Sequence, residues 1–187
     1  LGDTARALPA AEVFSLLDGL QGPMAVGPCR CRASHGACDH PLETDIVIRT
    51  GVAAWSRAFP RDYRPIDGRE AKAIVARCRD LGMWQMVFVH CPVNQENEYV
   101  ICNCCTCGCV PYILNREVGQ RFYPLLPGHF QAVTDPALCT GRGDCVAACP
   151  FGARAVTGGC LEMVGRCFGC GLCVAACPEG AIQMRHA

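Results

Sequence analysis

The chain carries 18 cysteines in 187 residues, a frequency that in a globular protein points to cross-links or bound metal rather than to packing. Its apolar share of 51% falls to about 41% when cysteine is left out, which still supplies a core for one domain or two small ones and excludes a disordered chain. Seventeen Lys and Arg balance 17 Asp and Glu, so the basic surplus that phosphate-backbone binding needs is missing, and nucleic acid is set aside as a partner.

No apolar run approaches a membrane span, and residues 1–20 show neither a basic n-region nor an apolar h-region. A soluble, cytoplasmic protein without a transmembrane segment is the expectation. Residues 10–20 place Val13, Phe14, Leu16 and Leu17 at helical spacing and stop at a glycine. The Pro- and Gly-rich stretch that follows predicts irregular backbone carrying Cys29 and Cys31, with Cys38 seven residues later. Ile46 to Arg49 reads as a strand, and Val52 to Phe59 as two helical turns before Pro60. The clearest helix starts at Asp67, whose carboxylate can cap while Glu70 sits three residues on; Ala71, Ile74, Val75, Cys78 and Leu81 then share one face before Gly82. Met86 to Val89 and Tyr99 to Ile101 predict two strands around the turn Asn94-Gln95-Glu96-Asn97.

The second strand runs into Cys102, Cys104, Cys105, Cys107 and Cys109. Thiols that are adjacent or one residue apart suit metal better than a disulfide framework. Residues 110–134, with Pro111, Pro124 and Pro127, predict an extended connector. The expected fold class is α+β, with a small helical and β N-terminal cysteine-rich domain over 1–134 and a second domain over 135–187.

The second domain is an internal repeat. Cys139 to Ala153 (CTGRGDCVAACPFGA) lies on Cys167 to Ala181 (CFGCGLCVAACPEGA) at an offset of 28, with 11 of 15 positions identical. The second copy contains the complete run C-x2-C-x2-C-x3-C-P, in Cys167, Cys170, Cys173, Cys177 and Pro178, and resembles the bacterial two-cluster ferredoxins. The resemblance covers roughly residues 135–187. It implies that three thiolates of one loop bind an iron–sulfur cluster while the fourth crosses to the other. Cys167, Cys170, Cys173 and Cys149 would then hold one 4Fe-4S cluster, and Cys139, Cys145 and Cys177 the other. Position 142, equivalent to Cys170, is Arg, which cannot be an ordinary ligand. The first site is therefore expected to hold a 3Fe-4S cluster, a 4Fe-4S cluster with an unusual fourth ligand, or nothing, an occupied site being favoured because three of four thiolates remain.

Cys29-x-Cys31-Arg32, then Cys38-Asp39-His40-Pro41, then Ile101-Cys102-Asn103-Cys104-Cys105-x-Cys107-x-Cys109 supply eight further thiols in three patches. This order is similar to a family of anaerobic iron–sulfur electron-transfer proteins in which C-x-C-R and I-C-N-C-C segments precede a ferredoxin domain. That family's pattern places Cys where this chain has Asp45 and Gly108. One 4Fe-4S centre combining Cys29, Cys31 or Cys38 with members of the 102–109 run is expected; two centres would use all eight. Zinc is the alternative in this region, because no single run here has ferredoxin spacing. His40 reads as a satisfied polar group, and Arg30, Arg32 and Arg142 as candidate counter-charges.

Neither a Gly-rich nucleotide loop nor a nucleophile elbow is present. The resemblances imply two or three clusters in a non-catalytic electron-transfer subunit, relaying single electrons to or from a partner redox protein such as a flavin- or metal-dependent oxidoreductase. A redox enzyme with a substrate-binding N-terminal cluster, or a cluster-based redox sensor, is the alternative.

Overall fold

The computed structural model describes residues 5–36, 38–93, 96–119, 125–157 and 160–187, side chains excepted at 5, 89–93, 96–98 and 160. The turn expected at Asn94-Gln95 and the side chains of His90, Cys91 and Cys160 lie outside the described residues. Helix and sheet are mixed throughout. Among the described residues no helix is long and apolar enough to cross a membrane.

The larger sheet is antiparallel with six strands. It contains β1 (Ala5–Leu8), β2 (Met24–Pro28), β3 (Glu43–Ile48), β4 (Arg64–Ile66), β5 (Trp84–Val93) and β6 (Glu96–Cys104), in the order β1-β5-β6-β3-β2-β4. Alternation along the strands divides the buried side chains between its two faces. One face presents Val26, Ile46, Ile48, Val87 and Ile101 to the helices α1 (Ala10–Gly19) and α4 (Gly68–Asp80), which contribute Val13, Leu17, Ala71 and Val75. Each such side chain, fully buried, contributes about 1.5–3 kcal/mol. The N-cap of α4 is the expected one, since the Asp67 carboxylate accepts the Glu70 backbone N–H at 2.7 Å. Leu81, expected on the apolar face, is 47% exposed: it is the C-cap residue, past the last helical turn.

The other face is covered twice. Ala25, Val47 and Val100 pack with Val52 and Trp55 of α3 (Thr50–Ala58). Ala7, Trp84, Met86 and Cys104 pack against Leu125, Cys170 and Leu172, so the C-terminal repeat sits on the sheet itself.

Two stretches differ from the sequence expectation. The Pro/Gly-rich segment before Cys29 is strand β2, and Cys29 is the N-cap of a short helix, α2 (Arg30–His35), so Cys31 lies on helical backbone. Gly27 is where the pattern misled. Its missing side chain admits the Tyr63 ring, which would lie 2.6 Å from a Cβ there, so the glycine serves packing and does not break the strand. Residues 110–134 are likewise not extended throughout: Val110–Val118 is helix α5, with proline in its first turn where no N–H is needed, and Phe130–Thr134 is strand β7.

In the C-terminal part, β7 pairs with β10 (Ile182–His186), and β8 (Arg154–Thr157) with β9 (Cys160–Met163). The two copies of the repeat each carry a one-turn helix, α6 (Asp144–Ala147) and α7 (Leu172–Ala175).

Candidate metal centres

The repeat folds around two cavities of similar size. One, of about 20 Å³, is lined by Cys167, Cys170 and Cys173 of the second copy and Cys149 of the first. The other, also of about 20 Å³, is lined by Cys139 and Cys145 of the first copy and Cys177 of the second. The last cysteine of each copy thus faces the other copy's loop. Close approach requires glycine in these loops. Gly171 and Gly169 both have φ of +76°; a Cβ at Gly171 would lie 3.1 Å from the Pro9 side chain, and one at Gly169 would lie 2.5 Å from the Phe130 carbonyl oxygen.

Residues 131–178 match the family model of the 4Fe-4S dicluster domain. An iron–sulfur, ferredoxin-like domain therefore occupies this part of the chain. No curated protein and no solved structure matches the chain.

The two cavities have different rims. Arg142 stands where the second copy has Cys170, Asp144 where it has Leu172, and Glu179 where the first copy has Phe151. The Arg142 guanidinium, 60% exposed, is turned to Asp144 at 3.0 Å and Glu179 at 3.8 Å. The cavity bearing Cys170 is instead walled by Phe151 and Phe168, stacked at 4.3 Å, and faces the large sheet. Burial raises the Cys170 and Cys173 thiols to about 12 and about 11. Arg154 counters this at Cys173. It is 3% exposed, anchored to Thr134 Oγ1 at 3.0 Å and the Ala132 carbonyl at 3.1 Å, and forms no ion pair with a carboxylate among the described residues. The sequence reading missed Arg154, although the repeat contains a signal: the equivalent residue of the second copy is Ile182.

The eight N-terminal thiols separate into two sets: the chain passes from one to the other between Cys104 and Cys105, where β6 ends, and returns at Cys109. Cys102 and Cys104 share one face of β6, opposite Met86 and Trp84. Cys29 and Cys31, at the start of α2, perturb each other's thiols, and Cys109 pushes the Cys104 thiol up. Cys102 and Cys104 each sense the charge of Cys29 and Cys109, and Cys31 senses Cys109, so the five thiols lie in one region of the fold. Asp45 of β3 joins them. It accepts from the Cys102 thiol at 3.2 Å and from the Tyr63 hydroxyl at 2.8 Å, and burial raises its pKa despite both bonds. The remaining thiols, Cys38, Cys105 and Cys107, gather elsewhere around His40.

A metal-bearing centre fits the five-thiol set on two observations. The neighbouring Cys109 and burial push the Cys104 thiol up, and burial does the same at Cys102, an environment in which a bound cation would favour the thiolates. Arg32, 3% exposed, supplies the complementary sign. Its guanidinium donates to the Asn103 carbonyl at 2.8 Å and to Thr44 Oγ1, approaches Cys105 Sγ at 3.9 Å, and is coupled to Cys29 and Cys104; no carboxylate pairs with it among the described residues. A buried guanidinium needs negative charge nearby, and the Cys29, Cys104 and Cys105 sulfurs, with the Asp45 carboxylate farther off, are the groups that can supply it. The other two candidate counter-charges lie elsewhere: Arg30 stacks on Phe59 at 3.6 Å and pairs with Asp62 at 2.8 Å, and Arg142 is at the surface.

Proposed function

We propose that this chain is an electron-transfer protein or subunit whose iron–sulfur centres line up through its interior. The dicluster match supports an iron–sulfur electron-transfer role in general terms. Cys149, Cys167, Cys170 and Cys173 would hold the complete 4Fe-4S cluster; Cys139, Cys145 and Cys177 would hold the second; and four of Cys29, Cys31, Cys102, Cys104 and Cys109 would hold a third. When bound, such clusters supply reversible one-electron storage.

The observation that carries the reading is a shared apolar seam. Cys104 and Cys109 of the five-thiol set and Cys170 of the ferredoxin-like part belong to one packed cluster, with Trp84 between Tyr112 and Phe151 at ring distances of 5.1 and 5.3 Å. The Tyr112 hydroxyl donates to the Pro150 carbonyl at 2.7 Å and clamps α5 to the repeat. These side chains exclude water between the two sets of thiols and hold them at a constant separation. The polar rim around Arg142 leaves the three-cysteine site toward the surface, the side from which a partner redox protein, such as a flavin- or metal-dependent oxidoreductase, would exchange electrons.

Anaerobic purification followed by iron and acid-labile sulfide analysis, with EPR of the reduced protein, tests this. More than two clusters' worth of iron and sulfide, with interacting paramagnets on full reduction, is expected; protein free of labile sulfide sinks the relay. Replacing Arg142 with Cys should convert the three-cysteine site to a regular 4Fe-4S centre, changing its EPR signal and potential, whereas an unchanged spectrum and iron content would oppose that assignment. Replacing Arg154 with Met should lower the potential of the complete cluster. A unit charge about 8 Å away at an effective dielectric near 20 contributes about 2 kcal/mol, or roughly 90 mV for one electron. A potential shifted by less than the error of a redox titration would remove Arg154 from its tuning.

A further inference from the structure

Cys38, Cys105 and Cys107 with His40 form a set unlike the five-thiol one. Their ligand atoms all lie within 4.8 Å of one another, and no other group of three or more His, Cys, Asp or Glu among the described residues is so compact. Cys38 Sγ is 3.5 Å from Cys105 Sγ and 2.7 Å from Cys107 Sγ, and Cys105 and Cys107 are 3.3 Å apart. His40 Nδ1 lies 3.3 Å from Cys38 Sγ and 3.5 Å from Cys107 Sγ. Around one zinc ion with Zn–S near 2.3 Å and Zn–N near 2.0 Å, tetrahedral edges come to roughly 3.5–3.8 Å. A 4Fe-4S cluster holds its thiolates much farther apart, because each binds a different corner iron. Both imidazole contacts and two of the three sulfur edges are close to the tetrahedral values, while the Cys38–Cys107 edge is about 1 Å shorter and would open on binding; spacing this tight suits ligands of one ion rather than of separate cluster irons.

The imidazole is oriented for the task. His40 Nε2 faces the Leu81 carbonyl at 3.3 Å, so it carries the proton, and the Nδ1 lone pair is left toward the three sulfurs. A ligating histidine characteristically has such a partner on its other nitrogen. The Arg32 guanidinium approaches Cys105 Sγ at 3.9 Å and offsets the net negative charge of three thiolates on a divalent cation. Beneath the set, Cys105 packs on Cys78 and Met83, which closes that side to water.

We propose that Cys38, His40, Cys105 and Cys107 bind one structural zinc ion, separate from the iron–sulfur centres. Four protein ligands leave no open position, so the site is not catalytic. It ties the loop after α2 to the turn after β6, segments 67 residues apart in sequence, and in doing so sets the position of Cys104 and Cys109 for the neighbouring five-thiol centre.

Metal analysis and zinc-edge X-ray absorption on the full chain, purified anaerobically from zinc- and iron-replete cells, provide the test. One zinc per chain with three sulfur neighbours near 2.3 Å and one nitrogen near 2.0 Å is expected. His40→Cys should keep the zinc with four sulfurs. Cys107→Ser should lose most of it while the EPR signal of the cluster held by Cys149, Cys167, Cys170 and Cys173 stays unchanged. Zinc well below one per chain, iron in its place, a Cys38–Cys107 disulfide, or full zinc retention in Cys107→Ser would overturn the proposal. Should the variants fail to fold, the absorption spectrum of the unaltered protein decides alone. The electron-transfer reading fails on a different observable: one zinc without labile sulfide would sink the relay and leave this site standing.

Discussion

Replacing Cys104 with Ser is expected to remove the N-terminal iron–sulfur centre, about four irons and four labile sulfides per chain, and to cut electron uptake in a reductive titration by one. Cys104 ends β6 with 6% exposure and senses the charges of Cys109, Cys102 and Cys29, three of the other four thiols. Cys102 is the thiol of the five that is engaged with a carboxylate, through its bond to Asp45, and Cys102→Ser should have the milder effect. The cluster of Cys149, Cys167, Cys170 and Cys173 should keep its EPR signal in both variants, because its ligands come from the repeat. Unchanged iron, sulfide and electron count in Cys104→Ser would take the five-thiol set out of the pathway.

Replacing Arg32 with Leu should have the largest effect on stability. The guanidinium lies between the two N-terminal sets, near Cys29 and Cys104 on one side and Cys105 on the other, and also ties the Asn103 carbonyl of β6 to Thr44 of β3. Removing one partner of a buried charge interaction typically costs about 3–5 kcal/mol, since the remaining charge is left uncompensated. Thermal melting of the anaerobic protein should therefore shift down by many degrees, with N-terminal metal lost and the repeat's cluster retained. Arg32→Lys restores the charge but not the fork that reaches three acceptors, and should recover only part of the loss. A melting temperature and metal content equal to those of the unaltered protein in Arg32→Leu would show that the thiols do not depend on this cation.

The N-terminal centres show why spacing alone ran out. Adjacent residues at the end of a strand point to opposite sides, and that rule already separates Cys104 from Cys105. It does not say which of Cys29, Cys31 and Cys38 meets which side. That assignment depends on α2, a six-residue helix after a strand, in a stretch whose prolines and glycines read as a break. His40 is a lone histidine in the sequence and a compact neighbour of three sulfurs only after β6 and the loop after α2 come together.

For the C-terminal repeat, the sequence by itself determined the essentials, because every candidate ligand lies within 39 residues and local loop geometry places three of the four. Likewise, the capped α4 and the apolar strands were legible from periodicity, a local property. Tertiary structure alone decided that the repeat packs on the large sheet through Trp84, Tyr112 and Phe151, that Arg32 and Arg154 are buried while Arg30 and Arg142 are not, and that eight thiols split five and three. Burial of a charge and convergence of distant thiols are long-range outcomes: they depend on which surfaces meet, and one residue's neighbours in the chain do not encode that.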